Sequence, residues 1–139
     1  MTRAIVDTGP LVAFLSVNDS HHPWAKSTLA GLEPPFLTSD VVIAEAHYLL
    51  TQTRSGADGL LALLEAGAIE SVSLAELNST SLRRLIDRYR NVPMDLADAC
   101  VVRLSEIHPE ANVVTIDGDF RIYRRNGRQP IPVVAPKRK

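Results

Sequence analysis

The apolar and polar positions of the chain fall into short segments that switch between two periodicities. Ala4, Ile5 and Val6 form a continuous apolar run, and Asn112-Val-Val-Thr-Ile116 is a second. Runs of this length without alternation read as strands covered on both faces, as in a parallel sheet. Phe36-Leu37-Thr38 reads as another short strand, entered through a linker Glu33-Pro34-Pro35. Ile69 to Leu74 alternates like a half-buried strand. Ile131 to Val134 lies between prolines, which suits a sheet edge. Between these runs the spacing becomes helical. It predicts helices over Pro10 to Val17, His22 to Leu32, Val41 to Thr53, Leu60 to Ala66, a stretch through Leu77, Leu82, Leu85, Ile86 and Tyr89, and Met94 to Ile107. Asn18-Asp19-Ser20, Ser55 to Gly59, Gly67, Asn91-Val92-Pro93 and His108-Pro109 separate them. The helix from Val41 is apolar almost all round and is expected to be buried.

Four acids stand out against this pattern. Asp7 directly follows the first strand, and Thr8-Gly9-Pro10 then turns into a helix, with proline at a favoured first position. Asp117 repeats the arrangement after Ile116. Ligands of open α/β sheets bind at the carboxyl ends of the strands, although Asp is also common as a plain turn or cap residue. Val42, Glu45 and Leu49 share one helix face. A carboxylate on a buried stripe is costly unless it is paired or holds a cation, and the other reading is a Glu that reaches solvent or meets Arg54. Asp95 and Asp98 lie one helical turn apart, where the helix N-terminus favours negative charge. Asp95 is assigned mainly to capping. Asp98 is flanked by Ala97, Ala99, Cys100, Val101 and Val102 and is less easily explained that way.

If Asp7, Glu45, Asp98 and Asp117 meet at one end of the sheet, they repel one another and resist ionisation. A divalent cation is the usual compensation. Carboxylates without a Cys or His cluster suit Mg²⁺ or Mn²⁺, and such a site can hydrolyse a phosphodiester without a protein nucleophile.

Composition narrows the choice. The chain has 139 residues, enough for one domain, expected over 1–135 with a frayed basic tail at 136–139. No apolar run approaches the roughly 20 residues of a membrane span, and no signal-peptide pattern is seen at the start. The single cysteine, Cys100, fits a reducing cytoplasm. Net charge is -1, so there is no global polyanion-binding footprint, but arginines cluster at 83, 84, 88 and 90 and at 121, 124, 125 and 128. The adjacent His21 and His22 point about 100° apart on a helix and do not serve one ion. His47 does not complete a zinc-protease HExxH pattern. Gly9 stands where an aspartyl phosphatase would carry its second acid, and no lysine lies between Lys26 and Lys137 to supply the one a receiver domain needs.

The chain resembles the PIN domain family, and within it the VapC-type toxins of bacterial and archaeal toxin–antitoxin pairs. The resemblance covers nearly the whole chain. It rests on Ile5-Val-Asp-Thr-Gly-Pro10, on Thr38-Ser-Asp40 leading to Glu45, on Met94-Asp-Leu-Ala-Asp-Ala99 and on Val114-Thr-Ile-Asp-Gly-Asp-Phe120. It implies a three-layer α/β/α fold with a central parallel sheet. It implies a Mg²⁺- or Mn²⁺-dependent endoribonuclease acting on structured RNA such as tRNA, a homodimer, and a cognate antitoxin whose segment enters the groove. The acidic site falls on Asp7, Glu45, Asp98 and Asp117, with Asp95 and Asp119 as accessories and Thr115 placed to orient water. Arg103, Arg121 and Arg124 are expected to contact RNA. Arg103 stands where many relatives carry a small residue.

Overall fold

The structure, a computed structural model, describes residues 3–53 and 56–137. Five parallel strands form the central sheet: β1 (Arg3–Val6), β2 (Glu33–Ser39), β3 (Ile69–Val72), β4 (Asn112–Val114) and β7 (Val133–Val134), in the order β3-β2-β1-β4-β7. Ala4, Ile5 and Val6 are completely buried at its centre, as the unalternated run requires. Helices pack on both faces to give three layers, α/β/α. They are α1 (Thr8–Leu15), α2 (His22–Ala30), α3 (Asp40–Gln52), α4 (Ala57–Glu65), α5 (Leu74–Leu77), α6 (Ser79–Arg88) and α7 (Leu96–Ile107). Among the described residues no helix is long and apolar enough to cross a membrane. The chain steps outward from β1 to β2 and β3, then returns across β1 to β4. That reversal opens a crevice beyond the carboxyl ends of β1 and β4, the usual ligand position in an open α/β sheet.

Several expectations are corrected. Glu33-Pro34-Pro35 is the start of β2 and not a linker. The register on β1 shifts between Arg3↔Glu33 and Ile5↔Leu37, and this irregularity accommodates prolines that cannot donate to a ladder. β3 ends at Val72, because Ser73 accepts a hydrogen bond from the Glu76 amide (3.2 Å) and starts α5. Asn78, at φ +74°, divides α5 from α6 and caps α6 by accepting from the Ser81 amide (3.1 Å). α3 is not buried all round: Val42, Ala46 and Leu50 face the core, whereas Glu45, Tyr48 and Leu49 are exposed. β7 does lie at the edge, beside β4. The antiparallel pair β5 (Arg124–Arg125) and β6 (Gln129–Pro130), turning through Asn126 and Gly127, escapes the periodicity because its flanks are polar. Arg54 and the last two tail residues, 138 and 139, lie outside the described residues.

Candidate active site

Asp7 is carried to the end of β1 by the sheet itself. Its amide donates to the Val114 carbonyl (3.0 Å), extending the β1–β4 ladder by one step. The residue occupies the N-cap position of α1, yet its side chain makes no capping bond. Instead Asp7 Oδ2 accepts a hydrogen bond from Thr115 Oγ1 (2.8 Å). The side chain is buried, and burial pushes its carboxyl up to about 6. The Thr115 hydroxyl opposes that shift, and the charges of Asp117 and Glu45 add to it.

Thr115 ties the two strand ends together. It follows β4 directly and is fully buried. While donating to Asp7 it also accepts from the Asp117 amide (3.0 Å). The hydroxyl expected to orient water therefore positions two acids from within the core. Asp117, exposed, accepts from the Asp119 amide (2.9 Å) and so starts a short 3₁₀ turn over Gly118–Arg121.

Asp98 reaches the same crevice from α7. Asp95 Oδ1 accepts from the Asp98 amide (2.8 Å), and Asp98 Oδ2 accepts from the Asp95 amide (3.3 Å), a reciprocal capping box. Asp95 is the cap it was expected to be. Asp98 also accepts from the Tyr123 hydroxyl (3.3 Å). Partial burial, then the charge of Asp95, raise its carboxyl to about 7, with smaller contributions from Asp7 and Asp117. Tyr123 is completely buried and packs edge-to-face on Phe120 and Tyr89. Burial, followed by the Asp98 charge, pushes its phenol up, so it stays a donor. Sequence reasoning missed Tyr123. Its only sequence signal is the three-residue spacing from Phe120, which marks a core position and not a polar role.

Glu45 rises from the exposed face of α3. Asp7, Thr8, Glu45, Asp95, Asp98 and Asp117 line one open cavity of about 340 Å³, walled by Leu49 and Ile116. The structure thus brings together the four acids singled out in the sequence, and Asp95 with them. Asp119 does not line the cavity; its charge acts on Tyr123. The burial cost invoked for Glu45 does not apply, because its helix face is open.

The donor set suits a hard divalent cation. Every acidic group is a carboxylate, two of them hold protons more tightly than usual, and the buried Thr8 hydroxyl has no hydrogen-bond partner among the described residues. Among the described residues no three acidic, His or Cys side chains are already gathered as a metal cage. Asp7 and Asp98 from the walls of the cavity, with Asp117 and Glu45 at its exposed side, are the carboxylates that would hold an ion there.

The PIN domain family profile matches residues 4–126. This chain belongs to the PIN domain family. It is 27% identical over 116 residues to ribonuclease VapC26 of Mycobacterium tuberculosis, which covers 81% of this chain and 85% of that protein. The crystal structure of VapC20 of Mycobacterium tuberculosis, a sarcin–ricin loop cleaving toxin, superposes with a TM-score of 0.75 at 25% identity, over 91% of this chain and 99% of that one. A toxin–antitoxin complex from Klebsiella pneumoniae shares the fold, with a TM-score of 0.68 at 18% identity, over 96% and 98% of the two chains.

The arginines of this PIN domain separate by position. Arg121 lies in a shallow pocket that shares Ile116 and Asp117 with the acidic cavity and includes Lys137 of the basic tail. Arg124 directs its guanidinium at the carbonyls of Arg121, Ile122 and Tyr123, closing its own turn. Arg103 turns away from the acids. It donates through Nε to the Leu77 carbonyl (3.0 Å) and pairs with Glu106 at 3.3 Å.

Proposed function

We propose that the protein is an endoribonuclease of the VapC toxin type, hydrolysing RNA phosphodiester bonds with Mg²⁺ or Mn²⁺, and that it works in the cytoplasm. One observation carries the reading: Asp7, Asp98, Asp117 and Glu45 line a single cavity at the switch point of a PIN-domain sheet. Its similarity to ribonuclease VapC26 supports the same activity. Asp7, Asp98 and Asp117 would hold the principal ion, and Glu45 would complete the site. When bound, the ion supplies electrophilic activation of the phosphate and of water. The protein's own groups do the rest. Thr115 fixes Asp7 relative to the Asp117 backbone, and Tyr123 fixes Asp98. Glu45, exposed at the cavity rim, takes the proton of the attacking water. Arg121, beside Asp117, holds the RNA backbone next to the cut.

Structured RNA, tRNA included, is the proposed substrate, and a cognate antitoxin and a second copy of the chain are the proposed partners. Purified protein is incubated with total RNA in Mn²⁺, Mg²⁺ or chelator, with Asp7→Asn alongside. Metal-dependent cleavage that disappears in Asp7→Asn is the expected result. Cleavage equal in both proteins means a contaminant. Intact RNA under every condition, with calorimetry detecting no bound ion, would favour a non-catalytic PIN-like scaffold.

A further inference from the structure

A second cavity, of about 430 Å³, opens between α6, α7 and the turn at Asn126–Gly127. Arg84, Arg88 and Arg103 line it, with Leu85 at its base and Glu106 as its acid. Glu106 is already engaged: Oε1 meets Arg103 and Oε2 accepts from the Asn126 amide (2.7 Å). Arg84 and Arg88 stand one helical turn apart on the exposed face of α6, and among the described residues neither pairs with a carboxylate. Arg88 is nonetheless held in place. It donates to the Gly127 carbonyl (2.8 Å) and lies 5.9 Å from the centre of the Tyr89 ring. Gly127 sits close against Arg88. It adopts φ +80°, and a Cβ there would come within 2.6 Å of the Arg88 guanidinium. The turn therefore anchors one guanidinium, through a carbonyl hydrogen bond, beside a cavity with a surplus of two positive charges.

Planar guanidinium groups select carboxylate and phosphate oxygens. Two facts favour phosphate on an RNA chain. The acidic cavity repels RNA, and the whole protein carries a net charge of -1, so affinity must come from local cation sites. Arg3 pairs with Glu70 and Arg90 with Asp87, and in the cavity Arg103 shares Glu106 and Arg88 bonds one carbonyl, so Arg84 is the cation there with no acidic or carbonyl partner among the described residues. The cavity lies around α7 from the acids: Asp98 near the helix start and Arg103 stand about 8 Å apart along its axis and about 140° apart around it. We propose that Arg84, Arg88 and Arg103 form a phosphate-binding site for the RNA backbone, separate from the acidic cavity. This rests on the reading of the protein as a ribonuclease.

The test measures binding of a labelled single-stranded RNA of mixed sequence by fluorescence anisotropy, in chelator, across a salt series. Arg84→Ala should weaken binding about three- to tenfold and lower the slope of log affinity against log salt by about 0.7, the value for one lost phosphate contact on a single strand. Arg84→Glu should weaken it further. Arg3→Gln, which removes a charge elsewhere, should bind as wild type. Arg84 is exposed, so the melting temperatures of its variants should match wild type. Wild-type affinity and salt slope in Arg84→Glu overturn the proposal. So does binding of a polyglutamate peptide that depends on Arg84 while RNA binding does not, which would assign the cavity to a protein partner. Cleavage assays separate this proposal from the reading beneath it. If RNA is cut and Arg84→Glu keeps the wild-type KM, the phosphate site fails and the nuclease stands. If nothing is cut but RNA binding still depends on Arg84, the nuclease fails and the phosphate site stands.

Discussion

Asp7 lines the acidic cavity, buried, with the Thr115 hydroxyl and the Thr8 amide favouring its charge and burial opposing it, and its proton affinity follows from that position. In the folded chain its carboxyl titrates at about 6, against 3.8 for an unperturbed Asp. Between these values the folded state binds more protons than the unfolded state, so stability falls as pH rises. The contribution is full below 3.8 and lost above about 6, and a shift of this size corresponds to about 3 kcal/mol for so buried a group. Asp98, raised to about 7, carries the same downward trend toward neutrality. Denaturant unfolding in chelator from pH 4 to pH 8 should therefore show the wild type weakening steadily. Asp7→Asn, which keeps an oxygen for Thr115 Oγ1 but cannot ionise, should show a flatter profile and exceed the wild type at pH 8. Parallel profiles for the two proteins would mean that the Asp7 charge is not under strain. The residue scale also divides what a sequence can reveal. Asp7 and Asp117 were legible because an apolar run ending in a carboxylate is a local pattern. The Tyr123 hydroxyl was not, since its approach to Asp98 depends on how the segment after β4 folds back over α7. The work of Thr115 was half legible: its identity and place were read, but its burial arises from the β1–β4 pairing.

At the scale of the element, α7 has two duties at its first turn. Its N-terminus needs acceptors for unpaired amides, and the cavity needs a carboxylate. Asp95 meets the first need and Asp98 both, through the capping box. Asp95→Ala should therefore cost about 1 kcal/mol of stability, the usual value of an N-cap. It should also lower the proton affinity of Asp98, because the Asp95 charge is the second cause of that shift. If Asp95 is a cap and not a ligand, Mn²⁺ affinity at neutral pH should stay the same or improve slightly, as measured by calorimetry. A tenfold or greater loss of Mn²⁺ affinity would make Asp95 a ligand. α3 teaches the opposite lesson about reading elements. Its apolar residues suggested burial on every side, but only the face through Val42, Ala46 and Leu50 is covered. Which side of a helix is covered is decided by the neighbours it packs against, here α1, α4, α7 and β2, and no window of sequence records that. Glu45 reaches the cavity from the open side. The prolines of β2 read as a linker for a related reason, since an irregularity in strand register is visible only once the partner strand is placed.

For the molecule as a whole, the sheet order decides where the acids meet. β1 and β4 are far apart in sequence and adjacent in space, and the direction of chain travel reverses between them. The anionic cavity sits at that reversal, so the protein keeps repelling groups together at a cost that the proposed cation would remove. A ligand that binds only the folded state adds stability by mass action, about 2.7 kcal/mol at a hundredfold excess over its dissociation constant. In a chain of this size that corresponds to a rise in melting temperature on the order of 10 °C. Mn²⁺ should produce such a rise at pH 7.5 and little or none at pH 5, where protons hold the sites on Asp7 and Asp98. Asp117→Asn should lose most of the Mn²⁺-induced rise while melting near the wild-type temperature in chelator, because Asp117 is exposed and holds only a single short turn. An equal rise at both pH values, or in Asp117→Asn, would place the ion elsewhere on the surface. The pH pattern matters more than the size of the shift. A surface carboxylate pair would already be ionised at pH 5 and would bind Mn²⁺ there, whereas a site built on Asp7 and Asp98 must first lose the protons that burial keeps on it.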